Sequence, residues 1–234
     1  VGEWLSLHLE MVMWLRRVFA LVAFAALIGC ATPEPAVAPS TSSEWQSVLL
    51  PGKVATHYEW ASKDGVRAIS ARANKSASLW ERPWDRSADT LGNVEFSWWI
   101  DGILADADVA QAGLTDAPAR VMFAFDGDMS KLSARTQLQF ELAHTLTGRA
   151  LPYATLAYVW DAKAPVGTVI VHPRNDRVRK IVVESGAKHA KQWRKYRRNL
   201  KDDFKLAFGE TPGRMTSVAL MTDADNVGGL AQAW

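Results

Sequence analysis

The feature that most restricts the fold of this chain is strict period-two alternation. Residues 95–101 place Phe96, Trp98 and Ile100 on one side of an extended backbone, with Ser97 and Trp99 on the other. Residues 120–126 repeat the pattern with Val121, Phe123 and Phe125 on one face. Further strands are predicted at Val66–Arg72, Tyr153–Trp160, Thr168–Val171, Val178–Val183 and Thr216–Met221. Turn residues separate them. Lys63-Asp64-Gly65 precedes the first, and Pro173-Arg174-Asn175-Asp176 joins two others into a hairpin. About seven strands with such punctuation predict a mainly β sandwich or barrel.

Two stretches read as accessory α-helices. Ser130–Thr147 starts at a capping Ser130, carries Leu138, Leu142 and Thr145 on one stripe, and stops at Gly148. His189–Phe208 carries Trp193, Tyr196, Leu200 and Phe204 at helical spacing and stops at Gly209. Hydrophobic residues make up 48% of the 234 and charged residues 22%, which excludes a disordered chain and a polytopic membrane protein. The net charge of +2 argues against nucleic acid as a partner.

The N-terminal residues read as an address. Arg16 and Arg17 precede an apolar run, Val18–Ile28, too short to span a bilayer core as a helix. It ends in Leu27-Ile28-Gly29-Cys30, which resembles the lipobox of bacterial lipoproteins. The resemblance implies a lipoprotein signal peptide over 1–30 and acylation of Cys30, the only cysteine. Ala31 after that cysteine resembles lipoproteins sorted to the outer membrane, so the expected location is the bacterial cell envelope, facing the periplasm. Residues 31–44 are rich in Pro, Ala, Ser and Thr and read as a disordered tether. A single domain over 45–234 follows.

The segments LPYATLAYVWD (151–161), PVGT (165–168), RVRKIVVESG (177–186), AFGETPGRM (207–215) and ALMTDADN (219–226) resemble the bacterial family called domain of unknown function 3047. SWWIDG and DAPARVMFAFDGD fit the same pattern. The likeness spans roughly 45–234 and implies a jelly-roll-like antiparallel β-sandwich, similar to galactose-binding and carbohydrate-binding modules. The family continues past the position of Trp234 into a closing strand, so the expectation is a C-terminally truncated chain or a missing edge strand.

Several constellations could carry chemistry. Asp223, Asp225 and Asn226 are hard oxygen ligands of the kind calcium prefers, and they double as turn formers. The eleven tryptophans include rings suited to stacking on sugars, Trp99 and Trp160 first among them. Asp161, Arg120 and Arg179 could orient hydroxyl groups beside those rings, and an Arg at the start of an apolar strand must find a partner. Asp101, Asp106, Asp108, Asp116, Asp126 and Asp128 offer carboxylates that, paired, could cleave a polysaccharide. Lys188, Lys191, Arg194, Lys195, Arg197, Arg198 and Lys201 form a basic run that could dock on anionic membrane or a partner. Nucleophile elbows, phosphate-binding glycine loops and zinc-protease motifs are absent from the sequence. The expectation is a non-catalytic, lipid-anchored binder of a glycan or another envelope component. A polysaccharide hydrolase or lyase and a docking protein are the alternatives.

Overall fold

The computed structural model describes residues 44–234. The signal-peptide, Cys30 and tether expectations lie outside these residues. Twelve strands form three sheets. β1 (Gln46–Leu49), β4 (Ser78–Arg86), β11 (Met215–Asp223), β6 (Ala117–Phe125), β7 (Ala154–Asp161), β9 (Asn175–Ser185) and β8 (Val169–His172) lie side by side, in that order, in the large sheet. All its neighbours are antiparallel except β7 and β9, which run parallel. β2 (His57–Lys63), β3 (Val66–Asn74) and β12 (Leu230–Ala233) make a three-stranded sheet, and β5 (Asn93–Trp98) pairs with β10 (Arg194–Asn199) in a ribbon. The ribbon reaches the three-stranded sheet through reciprocal bonds between the Trp99 and Trp234 backbones, at 2.9 and 2.8 Å. Ribbon and small sheet form the second layer of a sandwich.

Alternation decides which face of the large sheet is dry. Val121, Phe123 and Phe125 of β6 and Leu156, Tyr158 and Trp160 of β7 point into the main core, against Phe96 and Trp98 of β5. Helix α2 (Leu200–Phe208) closes that core with Leu200 and Phe204, and Phe204 meets Phe125 edge-on at 4.7 Å. Asn199 caps α2 by accepting from the backbone N–H groups of Lys201 and Asp202, and Gly209 ends it at φ 72°, a backbone state glycine adopts freely. Helix α1 (Ala134–Thr147) is capped by Ser133 rather than Ser130, because Asp128 uses Ser130 to cap a short 3-10 turn. Gly213 is required by a close approach: a Cβ there would collide with the Asp126 carbonyl.

The helix expected over 189–208 is corrected to a strand followed by a helix. Tyr196 stacks on its cross-strand partner Phe96 at 5.3 Å, and that pairing outweighs the helical spacing of the aromatics. Arg194 and Arg198 turn inward to Glu184 and Asp203, while Lys195 and Arg197 stay exposed. The expected basic helix face is therefore divided between two sides of a strand.

Candidate functional site

The opposite face of the large sheet is built from small side chains. Lys180, Ala157, Met122, Ala219 and Glu81 stand in register on β9, β7, β6, β11 and β4. The next row runs Val178, Thr155, Ala124 and Ser217. Alanine, serine and threonine on the three central strands, β7, β6 and β11, leave a trough between the longer side chains of β9 and β4. Residues 48–51 and residues 147–152 add walls, enclosing a groove of about 370 Å³. That size is in the range of small-molecule sites. From Lys180 to Glu81 the row crosses four strand spacings, about 19 Å.

The groove is apolar along its floor and charged at its ends. Glu81 accepts from Ser217 Oγ at 2.6 Å and is paired with Arg149. At the other end Arg120 Nη1 donates to Asp223 Oδ1 at 2.5 Å, and Arg120 also donates to the Thr115 carbonyl. Both side chains of that pair are nearly inaccessible, at 5% and 4%. Burial pushes the Asp223 carboxyl up from its ordinary value, and the Arg120 guanidinium pulls against it. Lys180 is 3% exposed and donates to the Val109 carbonyl at 2.6 Å. Among the described residues no carboxylate lies within ion-pair distance of its ammonium. Burial, then repulsion from Arg120, brings Lys180 down from 10.5 to about 7. Burial and the same two cations take His172 down from 6.5 to about 4, so it is neutral at pH 7. Three cations, Arg120, Arg149 and Lys180, face two carboxylates, Glu81 and Asp223, along the lining. Two cations are paired, and Lys180 is left over.

A family model described as "Protein of unknown function (DUF3047)" matches residues 43–234. The chain belongs to the DUF3047 family. Among curated proteins none matches it. The DUF3047 match covers every strand of the sandwich, so the groove is formed within the shared region.

Of the five residues expected to contact a glycan, only Arg120 lines the groove of this DUF3047 chain, and Asp223, expected as a calcium ligand, lines it beside Arg120. Trp99 was expected to face outward opposite Trp98. It is 4% exposed, because Trp234 packs edge-on against it at 5.2 Å and Lys63 lies over its ring. Trp160 is fully buried in the core and donates its indole N–H to the Gly186 carbonyl. Neither ring offers a face to a sugar. Asp161 is buried and accepts from the backbone N–H groups of Lys163, Ala164 and Val109, so it shapes the loop whose Val109 carbonyl receives Lys180. Arg179, one residue before Lys180, points to the other face and donates to the Ala207 carbonyl at 2.6 Å.

The acidic loop is self-contained. Carboxylate oxygens of Asp116, Asp223 and Asp225 lie within 4.8 Å of one another. Asp223 holds Arg120, Asp225 holds Lys53, and Asp116 accepts from the backbone N–H groups of Asn226 and Val227. The Asn226 side chain turns its amide N–H toward Asp116 at 2.6 Å rather than an oxygen toward a shared centre. Two of the three carboxylates are thus paired with protein cations, Arg120 and Lys53. The other aspartates are also employed locally: Asp126 with Arg214, Asp128 in its cap, and Asp108 on the Ala110 N–H.

Sequence reasoning missed Lys180, Glu81, Arg149 and His172. The available signal was the run of small residues at alternate positions, Ala124, Thr155-x-Ala157 and Ser217-x-Ala219, on strands whose other face carries large apolar side chains.

Proposed function

We propose that this domain is a non-catalytic binding protein of the bacterial cell envelope whose ligand seat is the groove on the open face of the large sheet. The observation that carries the reading is the trough itself: small floor residues on adjacent strands, with a buried, unpaired Lys180 at one end. A protein that needed this face only for stability would fill it with larger side chains, since each void costs packing energy. Cys30 and the apolar run before it support a lipid-anchored envelope location. The reading is non-catalytic because Asp116, Asp126, Asp128 and Asp223 are each held in ion pairs, caps or turns rather than paired with one another across the groove.

Native mass spectrometry of protein purified from its own envelope tests the reading. Retention of a small molecule by the wild type, lost in a groove-filling Ala124→Leu variant of unchanged melting temperature, is the expected result. Equal retention by both variants would place the ligand elsewhere. Glycan binding keeps one specific foothold, Trp60 on β2, which is 54% exposed with Arg67 at 5.1 Å from its ring. A glycan-dependent signal lost in Trp60→Ala but kept in Ala124→Leu would favour that second site.

A further inference from the structure

The groove's chemistry narrows the class of ligand, an inference that rests on the proposed seat. The floor offers Met122, Ala124, Ala157 and Ala219, which make no hydrogen bonds through their side chains, and methionine adapts its shape to an irregular apolar guest. A sugar would leave most of its hydroxyls unpaired against such a surface, at a cost for each one. A hydrocarbon chain would not. The row of floor residues extends about 19 Å across the strands, which suits an extended chain rather than a compact ring.

The head group follows from charge. Glu81 and Asp223 each have a bound arginine, so neither needs a ligand cation. Lys180 is a nearly inaccessible amine whose single protein acceptor is a backbone carbonyl, and an anionic guest beside it would hold it in the ammonium form with two of its three N–H donors free for that guest. One negative charge beside it would balance the lining. Doubly charged heads would overshoot, and neutral heads would leave the ammonium as it is. His172 adds a neutral imidazole at the same end.

The approach is apolar too. Leu49, on the wall formed by residues 48–51, is 67% exposed. Helix α1 leads into the other wall and carries Leu138, Leu142 and Leu146 at four-residue spacing, exposed by 65%, 56% and 72%. These leucines give a chain leaving a membrane an apolar path to the groove.

We infer that the groove binds a single long acyl chain ending in a carboxylate, with the chain across Ala124, Ala157 and Ala219 and the carboxylate on Lys180 Nζ.

The test uses the full chain produced in the cytoplasm, so that no acyl group is attached, and stripped of co-purifying lipid. Titration calorimetry with hexadecanoate, hexadecan-1-ol and a two-chain phosphatidylglycerol separates the contributions. The expected result is one hexadecanoate per chain, bound roughly 10- to 100-fold tighter than the alcohol, as a charge-assisted hydrogen bond supplies. Lys180→Met should erase that preference while leaving alcohol binding intact, which also shows that the variant is folded. Ala124→Leu should remove both. Equal affinity for acid and alcohol in the wild type would overturn the inference, as would acid binding untouched by either substitution. Tighter binding of the two-chain lipid would overturn the single-chain assignment. If no acyl compound binds but another small molecule is retained and lost in Ala124→Leu, the groove stands as the seat and the acyl assignment falls.

Discussion

Replacing Lys180 with methionine changes how stability depends on pH, and the size of the change follows from the structure. The side chain titrates near 10.5 when unfolded and at about 7 when folded. Burial disfavours its charged form, so the folded state binds fewer protons between those values. The cost is fully present below pH 7 and is relieved as pH rises toward 10.5. A shift of this size makes Lys180 cost about 4 kcal/mol at pH 7 and about 2 kcal/mol at pH 9. Methionine removes the charge but also the bond to the Val109 carbonyl, a loss of about 1 kcal/mol. The variant should therefore be more stable than the wild type by roughly 3 kcal/mol at pH 7 and by about 1 kcal/mol at pH 9. Urea denaturation at pH 7, 8 and 9 measures both proteins. Groups shared by the two cancel in the difference. A difference that stays constant from pH 7 to 9 would refute the claim that Lys180 is buried without a counter-ion.

Four further outcomes are expected. Arg120→Met strands the buried Asp223 carboxylate and should cost about 3–5 kcal/mol in denaturant titrations, much of it recovered by adding Asp223→Asn. Gly213→Ala forces a methyl group against the Asp126 carbonyl, and a loss of about 1–3 kcal/mol should appear as a lower melting temperature. Phe140→Ala, from the buried side of α1, should cost about 3–5 kcal/mol, whereas Leu142→Gln on its exposed side should stay within about 0.5 kcal/mol. Melting temperatures with added calcium and with a chelator should coincide, since Arg120 and Lys53 already neutralise Asp223 and Asp225.

The strands were legible wherever one face carries large apolar side chains and the other smaller ones. β6 and β7 announce themselves because Val121, Phe123 and Phe125, then Leu156, Tyr158 and Trp160, alternate with smaller residues. The family was legible too, from short motifs spread over the domain. β10 was not, because its inward residues are arginine and tyrosine, whose burial depends on pairing with Glu184 and Asp203 on other elements and with Phe96 a hundred residues earlier. Trp99 was misplaced for a related reason. Alternation correctly puts it opposite Trp98, but the C-terminal strand covers that second side as well. The groove was invisible for a different reason. It is defined by what three neighbouring strands lack at one level, and cross-strand register cannot be read from any one of them. Arg120 was the exception, since a charge on an apolar strand demands a partner wherever the strand lies.

The order of the large sheet bears on how the chain assembles. β11 lies between β4 and β6, yet it comes more than ninety residues after either in the amino-acid sequence. Until it arrives, β1 with β4 and β6 through β9 are two separate fragments, each showing an unpaired edge, and the second exposes the aromatic side chains of β6 and β7. Such edges invite pairing with other chains. Closing the sheet also needs long-range contacts, which slow folding.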